Sequence, residues 1–298
     1  MMVFFLDADA RVYARYGGRD AVNADNRQSL AGLRATMQSV LAMHQRAEKE
    51  FAPKSGDSPK YIREMANVRA KGCLHCHQVK EALHTTLQKA GKFTNDAVWR
   101  YPLPDNLGLV FDVDAAKVLK NVKDDSPAAK AGIKPGDRVQ KLNGVPIHSF
   151  GDAQYALDRA PKTGTIDVTW QRGEQEQSGK LELYENWRKG DVSWRASLRF
   201  LIPSTRLYGT DLTAEEKKAI GLAPARLAFR QKESMPYQAK AAGILGGDVI
   251  LGVDGKALEM NVDGFLRHVE SNYRIGDSVT VNLIRDGKRQ DVVMKLIP

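Results

Sequence analysis

The chain has little cysteine and no long apolar run. Only two cysteines occur among its 298 residues, which excludes a fold held together by many disulfide bonds. No uninterrupted apolar stretch reaches the ~18 residues that a membrane-spanning helix needs, so no transmembrane helix is expected. The formal net charge is +9, yet no block of consecutive basic residues appears, so the sequence does not indicate nucleic-acid binding.

The motifs of common enzyme classes are also missing. The sequence contains no G-x-S-x-G, H-E-x-x-H, P-loop or G-x-G-x-x-G pattern. Carboxylates are plentiful, but nothing in their spacing pairs them for acid–base catalysis. The apolar start, residues 1–6, is followed at once by Asp7 and lacks the basic start and long apolar core of a signal peptide. The sequence therefore does not point to an enzyme.

Both cysteines lie in one motif, Cys73-Leu74-His75-Cys76-His77. C-x-x-C-H is the attachment pattern of a c-type haem, in which the thiols bond to the porphyrin and the histidine binds the iron. We therefore expect one covalent haem c per chain, held by Cys73 and Cys76, with His77 as an iron ligand. Two alternatives remain open. One is a structural or thiol-redox cysteine pair, and the other is a zinc site that includes nearby histidines.

The residues around this motif predict two helices, over 61–70 and over 78–91. Met65, on the first helix, is the expected second axial ligand of the iron, and an open five-coordinate site is the alternative. His84 is expected not to bind the iron, because it lies two helical turns, about 10 Å, from His77 along one face. We expect it instead to contact a propionate or solvent. Haem c is attached outside the cytoplasm, so this hypothesis predicts a periplasmic or otherwise extracytoplasmic protein whose given start is internal or shortened.

A segment of nine residues occurs twice, as AGIKPGDRV at 131–139 and as AGILGGDVI at 242–250. Both copies then reach a turn dipeptide, Asn143-Gly144 in the first and Asp254-Gly255 in the second. Each is followed by the same predicted series of elements: helices over 150–160 and 262–271, strands over 164–171 and 277–285, and glycine-containing hairpins at Arg172-Gly173 and Asp286-Gly287.

The repeated pattern A-G-x-x-x-G-D-x-(V/I)-x-x-(V/L)-(N/D)-G resembles the PDZ domain of the bacterial high-temperature-requirement protease family. The resemblance implies an α+β fold with two small PDZ-like domains, each a β-sandwich or partly open barrel with helices, over 101–190 and 191–298. It also implies binding of protein C-termini or extended peptides. In that family a glycine-containing loop before a strand holds the peptide carboxylate. The matching positions here are Leu107-Gly108-Leu109 and Tyr208-Gly209-Thr210, and the second copy carries an inserted helix beginning near Leu212.

The first fifty residues predict a different arrangement. Residues 2–16 read as two strands joined by a tight turn, and apolar residues follow helical spacing over 30–44. This order is similar to the C-terminal half of a thioredoxin-like fold, without the half that carries its cysteines, so the resemblance implies no thiol activity. We accordingly divide the N-terminal third into a partial thioredoxin-like segment, 1–50, and a short helical haem-binding segment, 51–100.

These observations support a main hypothesis and two alternatives. The main one is an exported haem protein that performs electron transfer or redox sensing while its PDZ modules dock it to a redox partner. The first alternative is a non-catalytic PDZ scaffold in which C-x-x-C-H is a structural or thiol-redox pair. A thiol oxidoreductase or sensor is the third reading. For peptide binding, the first copy is expected to be the simpler binder, and the alternative is that segments of the chain itself fill one or both grooves.

Overall fold

The structure is a computed structural model of the whole chain. It describes residues 2–46, 61–68, 74–192, 194–198 and 201–297. Within these ranges, no helix combines the length and the apolar character needed to cross a lipid bilayer. The chain forms two compact units. One contains residues 1–69 and 85–194, and the other contains residues 70–84 and 195–298. The N-terminal fifty residues thus belong to the same unit as the first repeat.

The N-terminal region is a strand hairpin followed by a helix, as the sequence predicts. Strand β1 (Met2–Leu6) pairs antiparallel with β2 (Val12–Gly17), and helix α1 spans Leu30–Gln45. The helix begins at Ser29, whose hydroxyl accepts a hydrogen bond from the Gly32 amide and so satisfies one unpaired N–H of the first turn. A small apolar cluster joins the hairpin to the helix through Tyr13, Ala14, Val40 and Met43.

The segment after this helix contains less helix than expected. Over residues 61–68, the described part of the helix predicted for 61–70, only the short 3₁₀ turn Ile62–Glu64 forms, and the chain is already extended at Met65. Asn67 then adopts a positive φ of 66°, a conformation that an α-helix does not contain. The prediction over 61–70 is therefore wrong. The second helix, α2, spans Cys76–Lys89, close to the predicted 78–91.

The first repeat contains six strands and two helices. The 3₁₀ turn Pro104–Leu107 leads into it. Strands β3 and β4 pair with each other, and the other four strands form a sheet in the order β6-β5-β7-β8. The elements are β3 (Leu109–Phe111), β4 (Leu119–Val122), α3 (Pro127–Lys130), β5 (Arg138–Leu142), β6 (Val145–Pro146), α4 (Phe150–Asp158), β7 (Gly164–Arg172) and β8 (Gln175–Leu183).

The second repeat contains one five-stranded antiparallel sheet in the order β13-β12-β11-β10-β9, so β9 lies at its edge. Its inserted helix, expected from the sequence, is α5, and a reciprocal capping box between Thr213 and Glu216 starts it. The elements are β9 (Gly209–Asp211), α5 (Ala214–Ala219), β10 (Phe229–Gln231), α6 (Tyr237–Ala241), β11 (Val249–Val253), α7 (Val262–Asn272), β12 (Ser278–Arg285) and β13 (Lys288–Lys295).

Each repeat has its own apolar core, in which the side chains of the sheet pack against those of the long helix. In the first repeat, Leu109, Val139 and Leu157 are fully buried in this core. In the second, Ile250 and Phe265 are fully buried. The mixed α+β fold and the tandem repeat expected from the sequence are both present. The thioredoxin-like resemblance of the first fifty residues stays a prediction.

Candidate functional site

The loop before β3 is shaped by one glycine. The 3₁₀ turn of residues 104–107 ends at Gly108, which has a φ of 90° and whose amide donates to the Asp105 carbonyl. A Cβ at Gly108 would collide with the side chain of Ser126. Glycine is therefore required both by the backbone conformation and by the close approach of the neighbouring chain. The Gly108 carbonyl in turn accepts from the Lys123 amide, which fixes the loop to the end of β4.

Helix α4, the long helix of the first repeat, is covered on nearly all sides. Eight of its nine residues are buried, although its apolar core face accounts for only about half of them. The additional cover comes from the N-terminal hairpin. The carbonyl oxygen of Arg15 accepts from the hydroxyl of Ser149, which also caps α4. A Cβ at Gly18 would lie 2.6 Å from the ring of Phe150, so the backbone there rests directly on the helix.

A buried ion pair fixes the hairpin to α4. The carboxylate of Asp152 accepts from the Arg15 amide at 2.9 Å and from the His148 amide at 3.2 Å, and the Arg15 guanidinium lies 3.4 Å away. That guanidinium also stacks 3.5 Å above the ring of Tyr155. Burial raises the pKa of Asp152 to about 7. The charge of Arg15 and the two amide donors lower this pKa, but they only partly offset the effect of burial. Residues 137 positions apart are thereby joined in the interior.

A second ion pair fixes the same segment at the loop before β3. The Arg27 guanidinium bonds to Asp105 and to Asp20, each at 2.8 Å, and lies 5.0 Å from the centre of the Phe150 ring. Burial by itself would lower the pKa of Arg27, but the hydrogen bonds and charges of Asp105 and Asp20 raise it. Ser29 completes the contact by donating to the carbonyl of Val113, two residues after the end of β3.

The space between β3 and α4 is consequently almost filled. The cavity that remains between Tyr16, Gly17, Phe111 and Phe150 has a volume of only about 10 Å³. That is about the size of one water molecule and far too small for a peptide side chain. Residues 15–29, called the cover segment below, therefore occupy the cleft in which the first repeat was expected to take a peptide.

The second repeat places its equivalent loop one residue earlier than predicted. The Lys232 amide donates to the Tyr208 carbonyl, as the Lys123 amide donates to that of Gly108. The structural equivalent of Leu107-Gly108-Leu109 is therefore Leu207-Tyr208-Gly209, rather than Tyr208-Gly209-Thr210. No single glycine marks the position, because the residue equivalent to Gly108 is a tyrosine. The sequence offered Gly209 as the nearest match, and this gave the shift of one residue.

The groove of the second repeat differs from that of the first in its exposure. Of the eleven residues of α7, only Phe265 and Val269 are buried. Val262 and Leu266 lie four residues apart, so they share one face of the helix, and both are half-buried apolar side chains. The edge strand β9 faces the same region, and Thr210 at its centre is exposed. The Val262 amide donates to Asp211, which joins the strand to the start of the helix.

The loop end of this groove is basic. Arg206 and Tyr208 are exposed, and Arg206 has a positive φ of 55°. The ammonium group of Lys232 lies 5.7 Å from the centre of the Tyr208 ring. An edge strand, an apolar helix face and a basic loop together are the features that hold an extended peptide and its terminal carboxylate.

The structure describes only part of the C-x-x-C-H motif, since Cys73 lies outside the described residues. Cys76 is exposed in the first turn of α2. The Nδ1 atom of His77 lies 3.2 Å from Oε1 of Glu81, and its ring stacks on that of His75. Among the described residues, no group of three or more histidine, cysteine or acidic side chains is arranged to hold a metal ion. A zinc site built from described residues alone is therefore not present.

The two residues considered for the other side of the iron lie in different surroundings. Met65 is half-buried and belongs to the unit that contains the first repeat, whereas His77 belongs to the other unit. His84 is only 8% exposed, and its Nδ1 lies 3.3 Å from the Ser197 carbonyl oxygen. Of the two contacts expected for His84, the one with solvent is not formed, because the side chain is buried, and the one with a propionate stays a prediction. That Met65 binds the iron and that His84 does not both stay predictions.

Comparison with known proteins defines the class of both repeats. The PDZ domain family matches the chain twice, over residues 118–172 and over residues 232–296. Each matched range lies within one repeat, so the chain contains two PDZ domains, and these are similar to regions of DegP-like proteases. The names PDZ1 and PDZ2 are used below for the first and the second repeat, taken as residues 101–190 and 191–298.

Relatives among curated proteins agree with this class. A probable periplasmic serine endoprotease DegP-like of Pseudomonas savastanoi pv. phaseolicola is 26% identical over 200 residues, which cover 65% of this chain and 40% of that protein. The periplasmic serine endoprotease DegP of Escherichia coli is 33% identical over 90 residues, 30% of this chain and 19% of that protein. This chain thus spans at most 40% of the length of these relatives.

Among solved structures, the serine endoprotease from Yersinia pestis matches 34% of the chain and 34% of its own length at 23% identity, with a TM-score of 0.25. A score this low does not support a comparison of how the domains are arranged.

Proposed function

We propose that this chain is a non-catalytic peptide-binding adaptor in which PDZ2 takes the C-terminal end of an extended peptide. The observation that carries the proposal is the contrast between the two long helices. In α7 only Phe265 and Val269 are buried, whereas eight of nine residues of α4 are buried. The periplasmic relatives support an extracytoplasmic location for this chain as well.

The peptide would add to the edge strand β9, with its side chains alternating between Leu266 and solvent. Its carboxylate would reach the loop Leu207-Tyr208-Gly209, near the cations of Arg206 and Lys232. The half-buried faces of Val262 and Leu266 favour an apolar side chain at or near the peptide terminus. The proposed binder is thus PDZ2, whereas the sequence led us to expect that PDZ1 binds peptides more simply.

The test is binding of a library of C-terminal peptides to the full chain, with each peptide synthesised as a free acid and as an amide. We expect the free acids to bind and the amides to bind at least ~10-fold more weakly, because the amide removes the charge that the loop recognises. Leu266→Glu should abolish binding. The matched control, Arg267→Glu, places the same carboxylate at the exposed neighbouring position and should keep it. Equal binding of acids and amides would contradict the carboxylate mechanism.

A second candidate function rests on the motif at residues 73–77. Cys76 and His77 are both accessible on the first turn of α2, and Glu81 accepts a hydrogen bond from Nδ1 of His77. This contact would fix the tautomer and leave Nε2 to bind a metal, an arrangement usual for ligating histidines. The accessibility of Cys76 and the contact of Glu81 with His77 support a proposal of c-type haem binding, for which Cys73 lies outside the described residues. We propose that Cys73, Cys76 and His77 would hold it, and that one-electron exchange with a partner is the chemistry it would supply.

Mass spectrometry tests this second function after expression with an export signal and the haem-attachment machinery. We expect the mass of one haem per chain, lost when Cys73 and Cys76 are both changed to alanine. The His77→Ala variant should retain covalent haem but show an altered absorption spectrum. An unmodified mass, from a host that matures another c-type cytochrome in parallel, would contradict haem attachment. The chain would then be an adaptor whose C-x-x-C-H motif is a structural or thiol-redox cysteine pair.

A further inference from the structure

The cover segment is bonded to PDZ1 at three places around the cleft between β3 and α4. At the start of α4 it bonds through Arg15 to Asp152 and Ser149. It also bonds through Arg27 to Asp105, in the turn before β3, and through Ser29 to the Val113 carbonyl, two residues after β3. The three contacts thus hold the segment to α4, to the turn before β3 and to the chain that follows β3.

We propose that the cover segment, residues 15–29, is an intramolecular inhibitor of PDZ1, so that the chain offers one peptide groove when the segment is in place and two when it is released. The proposal depends on the proposed function only in assuming that both domains take the same class of ligand, an extended peptide with a free C-terminus. It adds a second, closed site to the adaptor.

The kind of bonds that hold the segment makes its release feasible. In each hydrogen bond that Arg15, Arg27 and Ser29 form with the repeat, at least one of the two partner atoms belongs to a side chain. A peptide added to β3 would instead form main-chain hydrogen bonds along the strand. The middle of the segment, residues 21–25, is exposed and carries no packed side chain that would have to be withdrawn from a core. Release therefore requires the loss of the two ion pairs, of the hydrogen bonds of Ser149 and Ser29, and of the packing at Tyr16 and Gly18.

Two substitutions separate the segment from the cleft by different means. Gly18→Val introduces side-chain atoms where even a Cβ would lie 2.6 Å from the Phe150 ring. Arg27→Ala removes the bonds to Asp105 and Asp20. The matched controls are Ala24→Val, a similar enlargement at an exposed position, and Arg11→Ala, which removes an arginine that pairs with Asp7 and Asp9 of the hairpin turn.

The experiment uses the full chain with Leu266→Glu, so that the PDZ2 groove is blocked. Hydrogen exchange reports opening, and a pool of free-acid and amidated C-terminal peptides reports binding. In both releasing variants we expect amides of Phe150–Asp158 to exchange at least ~10-fold faster while those of β7 stay protected. The same variants should enrich free-acid peptides, and both controls should behave like the parent.

Three results would overturn the proposal. The first is unchanged exchange of α4 in both releasing variants. The second is faster exchange of α4 and β7 together, since the segment would then be a structural part of the domain. The third is opening of α4 without any enrichment of free-acid peptides. None of these depends on PDZ2, so failure of PDZ2 to bind peptide in the parent chain overturns the proposed function alone.

Discussion

Asp137 and Arg172 form a two-pronged ion pair at the base of PDZ1, with the Nε and Nη2 atoms of the arginine each 2.8 Å from a carboxylate oxygen. The same arginine donates to the Gly132 carbonyl, and the carboxylate accepts from the Lys134 amide. PDZ2 repeats this arrangement in full. There Arg285 bonds to Asp248 and to the Gly243 carbonyl, and Asp248 accepts from the Leu245 amide. The aspartate of the Gly-Asp dipeptide that both repeats share therefore anchors the strand hairpin to the glycine turn.

Loss of this pair should destabilise one domain selectively. Asp137 is 1% exposed, so Asp137→Asn leaves the Arg172 guanidinium without its partner charge. We expect the free energy of unfolding of PDZ1 to fall by about 1–3 kcal/mol. This is less than for a fully buried ion pair, because Arg172 is partly exposed. Hydrogen exchange should accelerate in Gly164–Arg172 and remain unchanged in Ser278–Arg285. The control is Asp96→Asn, which breaks an exposed pair with Lys162 and should cost under about 1 kcal/mol. Equal acceleration in both strands would contradict a local role.

The buried carboxylate of Asp152 should give PDZ1 an unusual pH dependence. Its pKa is raised by burial from 3.8 to about 7, so between these values the folded state binds a proton that the unfolded chain releases. The resulting contribution to stability is complete below about pH 4 and is lost as the pH rises through about 7. Between pH 4 and 8, the melting temperature of Asp152→Asn minus that of the parent should therefore increase with pH. A difference that decreases with rising pH would show that the carboxylate is ionised in the folded protein.

Gly209 should be indispensable to the PDZ2 groove. A Cβ at this position would collide with the main-chain carbonyl of Arg230 on the neighbouring strand, and backbone atoms cannot move aside as a flexible side chain can. Gly209→Ala should displace β9, destabilise PDZ2 by about 2 kcal/mol or more and weaken peptide binding. Gly190→Ala, which meets no atom within 4 Å, is the matched control and should leave both properties unchanged. Normal peptide affinity in Gly209→Ala would exclude β9 as the docking strand.

The thiol of Cys76 should react quickly in the folded protein when no haem is attached, because it is exposed on the first turn of α2. A maleimide reagent should modify it without denaturant, and Cys73→Ala should leave this reaction in place. After maturation with haem, the same reagent should modify neither cysteine, since both sulfurs would be in thioether bonds. Rapid labelling of Cys76 in a matured sample would contradict attachment at that residue.

Much of the repeat architecture could be predicted because its determinants are local. The turn residues Asn143 and Asp254 adopt positive φ values of 49° and 54°, as the dipeptides with glycine predict. Alternating apolar residues give the strands of each hairpin, and the helix of the insertion follows from the capping box of Thr213 and Glu216. The helix over 61–70 was predicted wrongly, because composition alone does not reveal the left-handed conformation of Asn67.

What the sequence by itself determined is the presence of two PDZ domains and the position of a C-x-x-C-H motif, since each depends on residues within a short window. Only the tertiary structure decided which of the two grooves is open. The contact of Arg15 with Asp152 joins positions 137 residues apart, and that of Arg27 with Asp105 joins positions 78 apart. Neither pair has a local signature, because an arginine beside a turn is ordinarily solvated. Each guanidinium finds its carboxylate only when residues 15–29 are buried against the first repeat, and that burial exists only once the chain has folded.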